Sequence, residues 1–297
     1  MRILITGASG LIGTALRKSL EQKGHELLLA GRHNPEKPNQ IKWTVEEGFA
    51  EPERLEGVDA VIHLAGESIS ALRWTEEKKR AIRDSRVLGT RSIVDAMSRM
   101  NQKPKIFIAG SATGIYGDRD GEEMNESSVP GDTFLSEVCK AWEAESLRAE
   151  GLGIRTVLLR TGIVLSKDGG ALAAMLTPFK LGVGGVVGSG RQYMSWVSLD
   201  DEIGAINFVL ENENIRGPVN VVSPNPATNQ EFTKTLGEVV HRPTFLPLPA
   251  FAVDLIFGEM GDELLLNSTR VIPEKLLDAG YQFNDINLKK ALGKALE

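Results

Sequence analysis

Residues 1–15, MRILITGASGLIGTA, establish the architecture of this chain. Residues 2–6 form an apolar run that predicts a short buried strand. Gly7, Gly10 and Gly13 follow at three-residue spacing, and apolar residues then recur at helical spacing from Leu11 onward. A strand, a tight glycine turn and a helix in this order are typical of the first unit of a doubly wound α/β fold.

The glycines of this turn have separate physical roles. One permits the turn, one lets the backbone approach a pyrophosphate closely, and one lets the helix pack against the strand. The start of the helix adds free backbone N–H groups and the positive end of its dipole, which both attract phosphate. The sequence therefore predicts a dinucleotide site formed by Gly7, Ser9, Gly10, Leu11, Ile12 and Gly13.

The end of the second predicted strand, residues 26–30, indicates which dinucleotide binds. A carboxylate at this point would accept a hydrogen bond from the 2′-hydroxyl of NAD, whereas a cation suits the 2′-phosphate of NADP. Arg32 stands here and no carboxylate occurs before Glu36, so the sequence favours NADP(H). The alternative is an ordinary solvated arginine.

Strands and helices alternate through the first half of the chain. Further strands are predicted at 41–44, 58–66, 105–109 and 155–160, and long helices at 75–100 and 134–150. This pattern predicts an α/β fold with a doubly wound parallel sheet (Rossmann-type) and a smaller α/β C-terminal substrate lobe. Ligands bind beyond the carboxyl ends of such strands, so Leu64, Ala65 and Gly66 are expected beside the cofactor.

The second half of the chain differs from the first in its glycine-rich segments. A helix is predicted at 171–180 and a strand at 192–197, with glycine-rich segments between them. Asp200 and Asp201 are expected to start a helix, where carboxylates suit the dipole. Thr228-Asn229-Gln230-Glu231 is a capping-box pattern that opens another helix. We expect an NADP-binding core over 1–165, a mixed segment shared between core and substrate lobe over 166–240, and a small, mainly helical domain over 241–297.

The composition excludes several classes of protein. The net charge of −6 and the pI near 5.5 argue against a nucleic-acid-binding surface. A single cysteine, Cys139, excludes an internal disulfide, and the four histidines show no metal-ligand spacing, so no metal is expected. No apolar run is long enough to cross a bilayer, and Met1 leads straight into the first strand without room for a signal peptide. We expect a cytoplasmic protein with neither a nucleic-acid nor a membrane partner.

Several motifs together resemble a known family. They are Leu64-Ala65-Gly66-Glu67, Arg73-Trp74, Gly110-Ser111-Ala112-Thr113-Gly114, Leu159-Arg160-Thr161-Gly162, Val164-Leu165, Gly188-Ser189-Gly190-Arg191-Gln192 and Gly258-Glu259-Met260. With the glycine turn and Tyr116-Gly117, they make the chain resemble the extended short-chain dehydrogenase/reductase superfamily, which includes nucleotide-sugar epimerases and dehydratases. More closely, the chain resembles an atypical epimerase-family subgroup that carries a small C-terminal domain of unknown function.

The resemblance implies chemistry with NADP(H) on a small-molecule substrate, either a sugar or a nucleotide-linked sugar. It places Arg86 near the phosphate of NADP, and it places Glu67, Arg191 and Gln192 at the substrate. It also implies a homodimer formed through the helices at 75–100 and 134–150.

The chain departs from the superfamily at the catalytic positions. That chemistry needs a tyrosine whose pKa is lowered by a lysine four residues later. Here the residue four before Lys140 is Ser136, so the usual acid–base tyrosine is absent. A Ser or Thr is also expected four residues before the Tyr-Gly pair, where this chain has Ala112, flanked by Ser111 and Thr113. Lys140 either holds ribose hydroxyls, as its counterpart does, or is a surface lysine.

Three interpretations of this departure stay open. Tyr116, Ser111 or Thr113 takes a displaced catalytic role; Glu67 or Arg191 acts on a substrate suited to other chemistry; or the protein binds NADP(H) without turnover. A serine hydroxyl is too weak an acid near neutral pH unless a strong base lies beside it. The two resulting hypotheses are an NADP(H)-dependent oxidoreductase or epimerase and a catalytically inactive NADP(H)-binding sensor or interaction protein.

Overall fold

The computed structural model describes all residues of the chain, 1–297. Its strands are β1 (Arg2–Thr6), β2 (Glu26–Gly31), β3 (Gln40–Thr44), β4 (Gly48–Phe49), β5 (Ala60–His63), β6 (Ile106–Ala112), β7 (Glu123–Met124), β8 (Arg155–Thr161), β9 (Ile163–Leu165), β10 (Tyr193–Met194), β11 (Trp196–Ser198), β12 (Gly217–Val221), β13 (Ala227–Thr228) and β14 (Arg270–Val271). Its α-helices are α1 (Leu11–Gln22), α2 (Glu76–Arg99), α3 (Phe134–Leu147), α4 (Gly170–Lys180), α5 (Leu199–Glu211), α6 (Asn229–Val239), α7 (Ala250–Phe257), α8 (Glu259–Gly261), α9 (Glu274–Asp278) and α10 (Leu288–Leu296).

A central sheet of eight strands organises the molecule. Its order is β12-β8-β6-β5-β1-β2-β3-β4, and every neighbouring pair is parallel except β3 with β4. The chain winds outward from β1 in one direction through β2 and β3, and in the other through β5, β6, β8 and β12. The predicted doubly wound sheet is confirmed. The winding direction changes between β1 and β5, which is where such folds bind their ligands.

Helices cover both faces of this sheet. Along β1, Ile3 and Ile5 face a core shared with α1 and α5, whereas Leu4 faces a second core shared with α2. This alternation follows from the period of two in a strand, and both faces are apolar because both are covered. The three layers hold the carboxyl ends of the strands at one edge.

Several predicted boundaries differ from the observed ones. The run 58–66 forms a strand only over β5, because the backbone of Leu64 to Gly66 leaves the sheet beside the glycine turn. The helix predicted at 134–150 ends as α3 at Leu147, and a 3₁₀ turn follows over Arg148–Leu152. The strand predicted at 192–197 is divided into β10 and β11, which pair with different partners.

A second body of structure lies beyond the carboxyl edge of the sheet. Residues of α4, β11, α6 and α10 share a separate apolar core around Trp196, which is fully buried. The predicted capping box of α6 is present, with the Thr228 hydroxyl accepting from Glu231 N and the Glu231 carboxylate accepting from Thr228 N. No helix of the chain is both long enough and apolar enough to cross a membrane.

Candidate functional site

The glycine turn after β1 lies against the end of β5. Gly7 has a φ of +72°, and a Cβ atom on it would lie 2.7 Å from the carbonyl carbon of Leu64. A Cβ on Gly13 would lie 2.1 Å from the Gly7 oxygen. Both positions therefore exclude any side chain, as the predicted turn and the close packing of helix on strand require.

The first turn of α1 leaves donors free for a ligand. Gly10 is its N-cap and no side chain caps the helix. The bond from Thr14 N to Gly10 O begins the helical pattern, so the preceding N–H groups have no partner within the helix. With exposed Ser9 and Gly10 at this end, the turn presents donors and a positive dipole end to solvent.

Thr6 and His63 join β1 to β5 beneath this turn. Thr6 Oγ1 lies 2.6 Å from His63 Nδ1 and also accepts from Ala65 N at 3.3 Å. Burial lowers the pKa of His63 to about 4, so the imidazole is neutral near pH 7 and serves as a packed strand residue. The sequence does not predict Thr6 as a site residue, because a threonine that ends an apolar strand gives no functional signal.

Charged residues surround the outer part of the turn. Arg32 is exposed just beyond β2. The Glu67 carboxylate accepts from Lys78 Nζ at 2.6 Å, and this bond, with Lys78, Arg32 and Arg86 nearby, holds its pKa below the usual range. Glu67 is thereby tied to α2 and does not border the cavity described next.

A cavity of about 520 Å³ lies beyond the carboxyl ends of β6 and β8. The ends of β6 and β8 and the residues that follow them contribute 111–114 and 161–163, and α3 contributes one face. The C-terminal body closes it with parts of α4 and α6 and with the segments 183–187, 246–248 and 263–269, the last of which begins in a π-helical turn. Its size and its position at the sheet edge are those of a small-molecule site.

The face of α3 toward this cavity differs from the predicted one. Leu135, Val138, Cys139 and Trp142 border the cavity. Ser136, by contrast, is buried and donates to Gly114 O at 2.9 Å, and Lys140 pairs with Glu137 on the outer side. Two i, i+4 pairs of α3 therefore meet the cavity, Leu135 with Cys139 and Val138 with Trp142, and none of these residues is a tyrosine or a lysine. Burial raises the pKa of the Cys139 thiol to about 12, which keeps it protonated.

Arg86 occupies the space beside Cys139. Its guanidinium lies 5.2 Å from the Trp142 ring centroid and donates to the carbonyl oxygens of Glu67 and Ile82. A Cβ on Gly66 would lie 3.3 Å from the guanidinium carbon. Arg86 thus borders the cavity and also contacts the loop after β5, so it joins the two halves of the site.

Ser111 and Tyr116 belong to one buried network. Ser111 Oγ donates to Glu143 Oε1 at 2.6 Å, and Glu143 accepts two bonds of 2.9 Å from Arg160. Arg160 also donates to the Tyr116 hydroxyl, which itself donates to Asn220 Oδ1. Burial raises the pKa of Tyr116 to about 12, and its ring lies outside the cavity lining. Ser111 and Thr113 border the cavity, whereas Tyr116 is a buried support.

A second carboxyl group lies behind the cavity wall. Thr161, which borders the cavity, donates to Glu202 Oε1 at 3.0 Å. Glu202 is fully buried and its other oxygen has no partner. Burial raises the pKa of Glu202 from its ordinary value of 4.5 to about 8, so it carries a proton near pH 7. Nothing in the sequence singles out Glu202, because it follows Asp200 and Asp201 in an acidic first helical turn.

The two predicted residues after the 182–190 glycine segment lie outside the cavity. Arg191 is exposed. Gln192 is buried, and its amide donates to Val187 O at 2.9 Å and Leu265 O at 3.0 Å, which ties two cavity loops together.

Comparison with protein families identifies the class of protein. The NAD dependent epimerase/dehydratase family matches residues 3–222, and a domain of unknown function, DUF1731, matches residues 248–295. The chain belongs to the NAD dependent epimerase/dehydratase family, which confirms the resemblance seen in its motifs.

Individual relatives extend over the whole chain. Epimerase family protein Mb2239 of Mycobacterium bovis is 42% identical over 293 residues, which cover 99% of this chain and 97% of that protein. The crystal structure of human epimerase family protein SDR39U1 with NADPH superposes with a TM-score of 0.91 at 36% identity and covers 100% of both chains. The structure of the nucleoside-diphosphate sugar epimerase from Corynebacterium glutamicum gives 0.82 at 33% identity, covering 99% of this chain and 58% of that one.

Proposed function

We propose that this protein is an NADP(H)-dependent oxidoreductase that acts on a small molecule. The observation that carries the proposal is the continuity of the site: Arg86 borders the cavity and contacts the loop after β5, and the start of that loop packs against the glycine turn. When bound, NADP(H) would supply or accept a hydride. The human relative crystallised with NADPH supports the choice of cofactor.

The glycine turn fits the dinucleotide, since Gly7 and Gly13 leave no room for side chains and the first turn of α1 has unclaimed donors. The residues that would hold the pyrophosphate are Gly7, Ser9, Gly10, Leu11, Ile12 and Gly13, with Leu64, Ala65 and Gly66 beside them. Arg32 would hold the 2′-phosphate as an exposed cation at the end of β2.

We assign Arg86 as the cation that contacts the part of the cofactor nearest the cavity. Arg86 lies beside Cys139 at the cavity, whereas Lys140, which stands at the position of the superfamily's lysine, pairs with Glu137 and does not border the cavity. Its stacking on Trp142 holds the guanidinium in place. Arg86 therefore takes the ribose-holding role that the superfamily gives to lysine.

We assign Glu202 as the group that supplies the proton for the reaction. It keeps a proton near neutral pH and lies one hydrogen bond from Thr161 Oγ1, which borders the cavity. Glu143 is less suited, because its carboxylate is held in an ion pair with Arg160. In this relay the Glu202 carboxyl group would give its proton to Thr161 Oγ1 while the Thr161 hydroxyl gives its own proton to a substrate oxygen, which leaves Glu202 as a carboxylate. The missing tyrosine is then not required.

Titration of the purified protein with NADPH, NADP⁺, NADH and NAD⁺ tests the cofactor assignment. Wild type is expected to bind the two phosphorylated forms, and Arg32→Asp is expected to weaken NADPH binding by roughly tenfold or more, since a charge-assisted bond is replaced by repulsion. Arg216→Asp, an exposed arginine at the opposite end of the sheet, is the matched control and should bind NADPH normally. Equal loss in both variants, or no binding of any dinucleotide by wild type, contradicts the proposal.

The proton assignment has a separate test. With a substrate identified by NADPH oxidation, Glu202→Gln is expected to retain NADPH affinity and to remove the ionisation near pH 8 from the pH–rate profile. If Glu202 has only a structural role, Glu202→Gln changes stability and leaves the shape of the pH–rate profile as in wild type, which contradicts the assignment.

The second candidate function is a catalytically inactive NADP(H)-binding sensor. The observation that favours it is the presence of Leu135 and Cys139 on the cavity face of α3, neither of which can replace the tyrosine and lysine. Transfer of deuterium from C4-labelled NADPH to a product, detected by mass spectrometry, excludes the sensor. Tight NADPH binding without transfer to any carbonyl compound favours it.

A further inference from the structure

The walls of the cavity are unusually poor in charge for a site that would hold a nucleotide-linked sugar. Of its 33 lining residues, 18 are hydrophobic. The apolar side chains of the outer half come from α4, β10, α6 and three loops: Met175, Pro178, Phe179, Val183, Val187, Met194, Phe232, Leu246, Pro247, Leu248, Leu264 and Leu265. Apart from Glu263, the polar side chains that also border the cavity from these segments are uncharged: Tyr193, Asn229, Thr233, Asn267 and Thr269. A ligand in this half meets mainly apolar surface and no cation.

The charged groups in the lining, Arg86 and Glu263, already have partners. Arg86 donates from Nη1 to two carbonyl oxygens and stacks on the Trp142 ring, and its remaining donors are the ones assigned above to the cofactor. Glu263 accepts from Thr133 Oγ1 at 2.8 Å and from Phe134 N at 2.7 Å, which caps α3. No lysine or further arginine borders the cavity.

A nucleoside diphosphate needs several cations or free donors for its two phosphates. Arg191, the residue expected to supply such a cation, is exposed and lies outside the lining. A diphosphate in this half would be buried beside neutral donors only, with no free cation to balance its charge, which is unfavourable.

The entrance of the cavity is apolar as well. Val183 and Leu246 border the cavity and are 54% and 47% exposed, and the neighbouring Leu181 and Phe245 are 73% and 74% exposed. Their segments lie side by side, because Gly185 and Phe245 form an antiparallel bridge. Apolar side chains thus continue from the inner wall to the surface, along the path by which a ligand would enter.

We propose that the substrate is an uncharged, largely apolar carbonyl compound or the corresponding alcohol, not a nucleotide-linked sugar. This inference rests on the proposed oxidoreductase function and specifies its substrate. In the reduction, the carbonyl carbon gains a hydride and its oxygen gains one proton, while NADPH becomes NADP⁺. The few polar groups at the inner wall, Ser111, Thr113 and Thr161, suffice for one such oxygen.

A binding experiment on the NADPH-loaded protein tests the inference independently of turnover. The neutral apolar fluorophore N-phenyl-1-naphthylamine and UDP-glucose are titrated separately, the first by fluorescence and the second by calorimetry. The fluorophore is expected to bind wild type, and UDP-glucose is expected to give no binding heat.

Two lysine substitutions on α4 locate the bound probe. Met175→Lys puts a charge at the cavity wall and is expected to weaken the binding of the fluorophore by about tenfold or more. Thr177→Lys, on the exposed side of the same helix, is the matched control and should leave both NADPH and fluorophore affinity unchanged.

The outcomes separate this inference from the proposed function. Binding of UDP-glucose, no binding of the fluorophore, or equal fluorophore affinity in the Met175→Lys and Thr177→Lys proteins overturns the apolar substrate but leaves cofactor binding intact. Failure of wild type to bind NADPH removes the proposed function itself, and the substrate inference with it.

Discussion

The buried carboxyl group of Glu202 affects both the proposed proton transfer and the stability of the fold. Its side chain is fully buried, with a single hydrogen bond from Thr161 and one oxygen without a partner. Nothing near it supplies a positive charge that would favour the ionised form, so burial dominates the pKa and the carboxyl group stays neutral. The same burial that stores a proton beside the cavity also makes the fold sensitive to pH.

We expect Glu202 to lower stability as pH rises. Its pKa is about 8 in the folded protein, against the ordinary value of 4.5 in an unfolded chain, so between these values the folded protein keeps a proton that the unfolded chain has lost. The free energy of unfolding should therefore fall by up to about 1.4 kcal/mol per pH unit in this window.

Glu202→Gln should remove this slope and be more stable than wild type at pH 8, with the difference shrinking toward pH 5. Urea unfolding at pH 5, 6, 7 and 8 measures both slopes. Parallel slopes for the two proteins would show that Glu202 is not the group responsible.

At the scale of elements, the orientation of α3 decides which residues meet the cavity. The residues numbered one earlier than the predicted pair, Leu135 and Cys139, face inward, while Ser136 and Lys140 do not. A shift of one residue is a rotation of about 100° on a helix. It turns Ser136 toward Gly114 and Lys140 toward Glu137, and neither side chain borders the cavity. The rotation of α3 against the sheet is set by packing and cannot be read from the sequence.

The capping box at the start of α6 contributes to the free energy of unfolding, and this contribution can be measured. Thr228→Ala removes the hydroxyl that accepts from Glu231 N and should cost about 1 kcal/mol of unfolding free energy. Lys234→Ala, at an exposed position of the same helix, should change stability by less than about 0.5 kcal/mol. Chemical denaturation of the three proteins measures the difference, and equal midpoints for both variants would refute the role of the cap.

For the whole molecule, the buried carboxylate of Asp201 fastens the C-terminal segment to the sheet domain. It accepts from Asn284 N and Asp285 N, both at 2.9 Å, while Asp201 O accepts from the Tyr281 hydroxyl. Tyr281 in turn packs in the same core as α5 and the central strands. The tail that follows continues into α10, which packs against α6 in the separate core around Trp196.

Asp201→Ala should therefore loosen the whole C-terminal segment. We expect a loss of about 3 kcal/mol of unfolding free energy, because buried donors lose a charged acceptor. Asp200→Ala removes the adjacent exposed carboxylate, which pairs with Lys294, and should cost less than about 1 kcal/mol. Urea unfolding and limited proteolysis compare the two, and similar protection of residues 279–297 in both variants would contradict this anchoring role.

The outer faces of α2 and α3 are joined to each other by ion pairs. Arg91 pairs with Glu145, and Arg148 pairs with both Asp95 and Glu145. The homodimer through these helices stays a prediction, as do the three domain boundaries and the cytoplasmic location.

Local patterns along the chain are enough to predict the central fold and the place of the cofactor turn. These patterns are the apolar strands, the helical periodicity, the glycine spacing of residues 7–13 and the capping box at Thr228. The role of Arg32 stays a prediction of the same kind, since it follows from the position of the residue at the end of a strand.

The side chains that share the cavity are set by packing and not by local pattern. Glu202 and Asp201 belong to the same acidic helical turn, yet one is a neutral group behind Thr161 and the other a charged anchor for residues 284–285. Leu135 and Cys139 meet the cavity because α3 packs in one rotation against the sheet, and Arg86 reaches them from a separate helix. Burial and contact between residues far apart in the chain determine these roles, and both quantities arise only when the chain is folded.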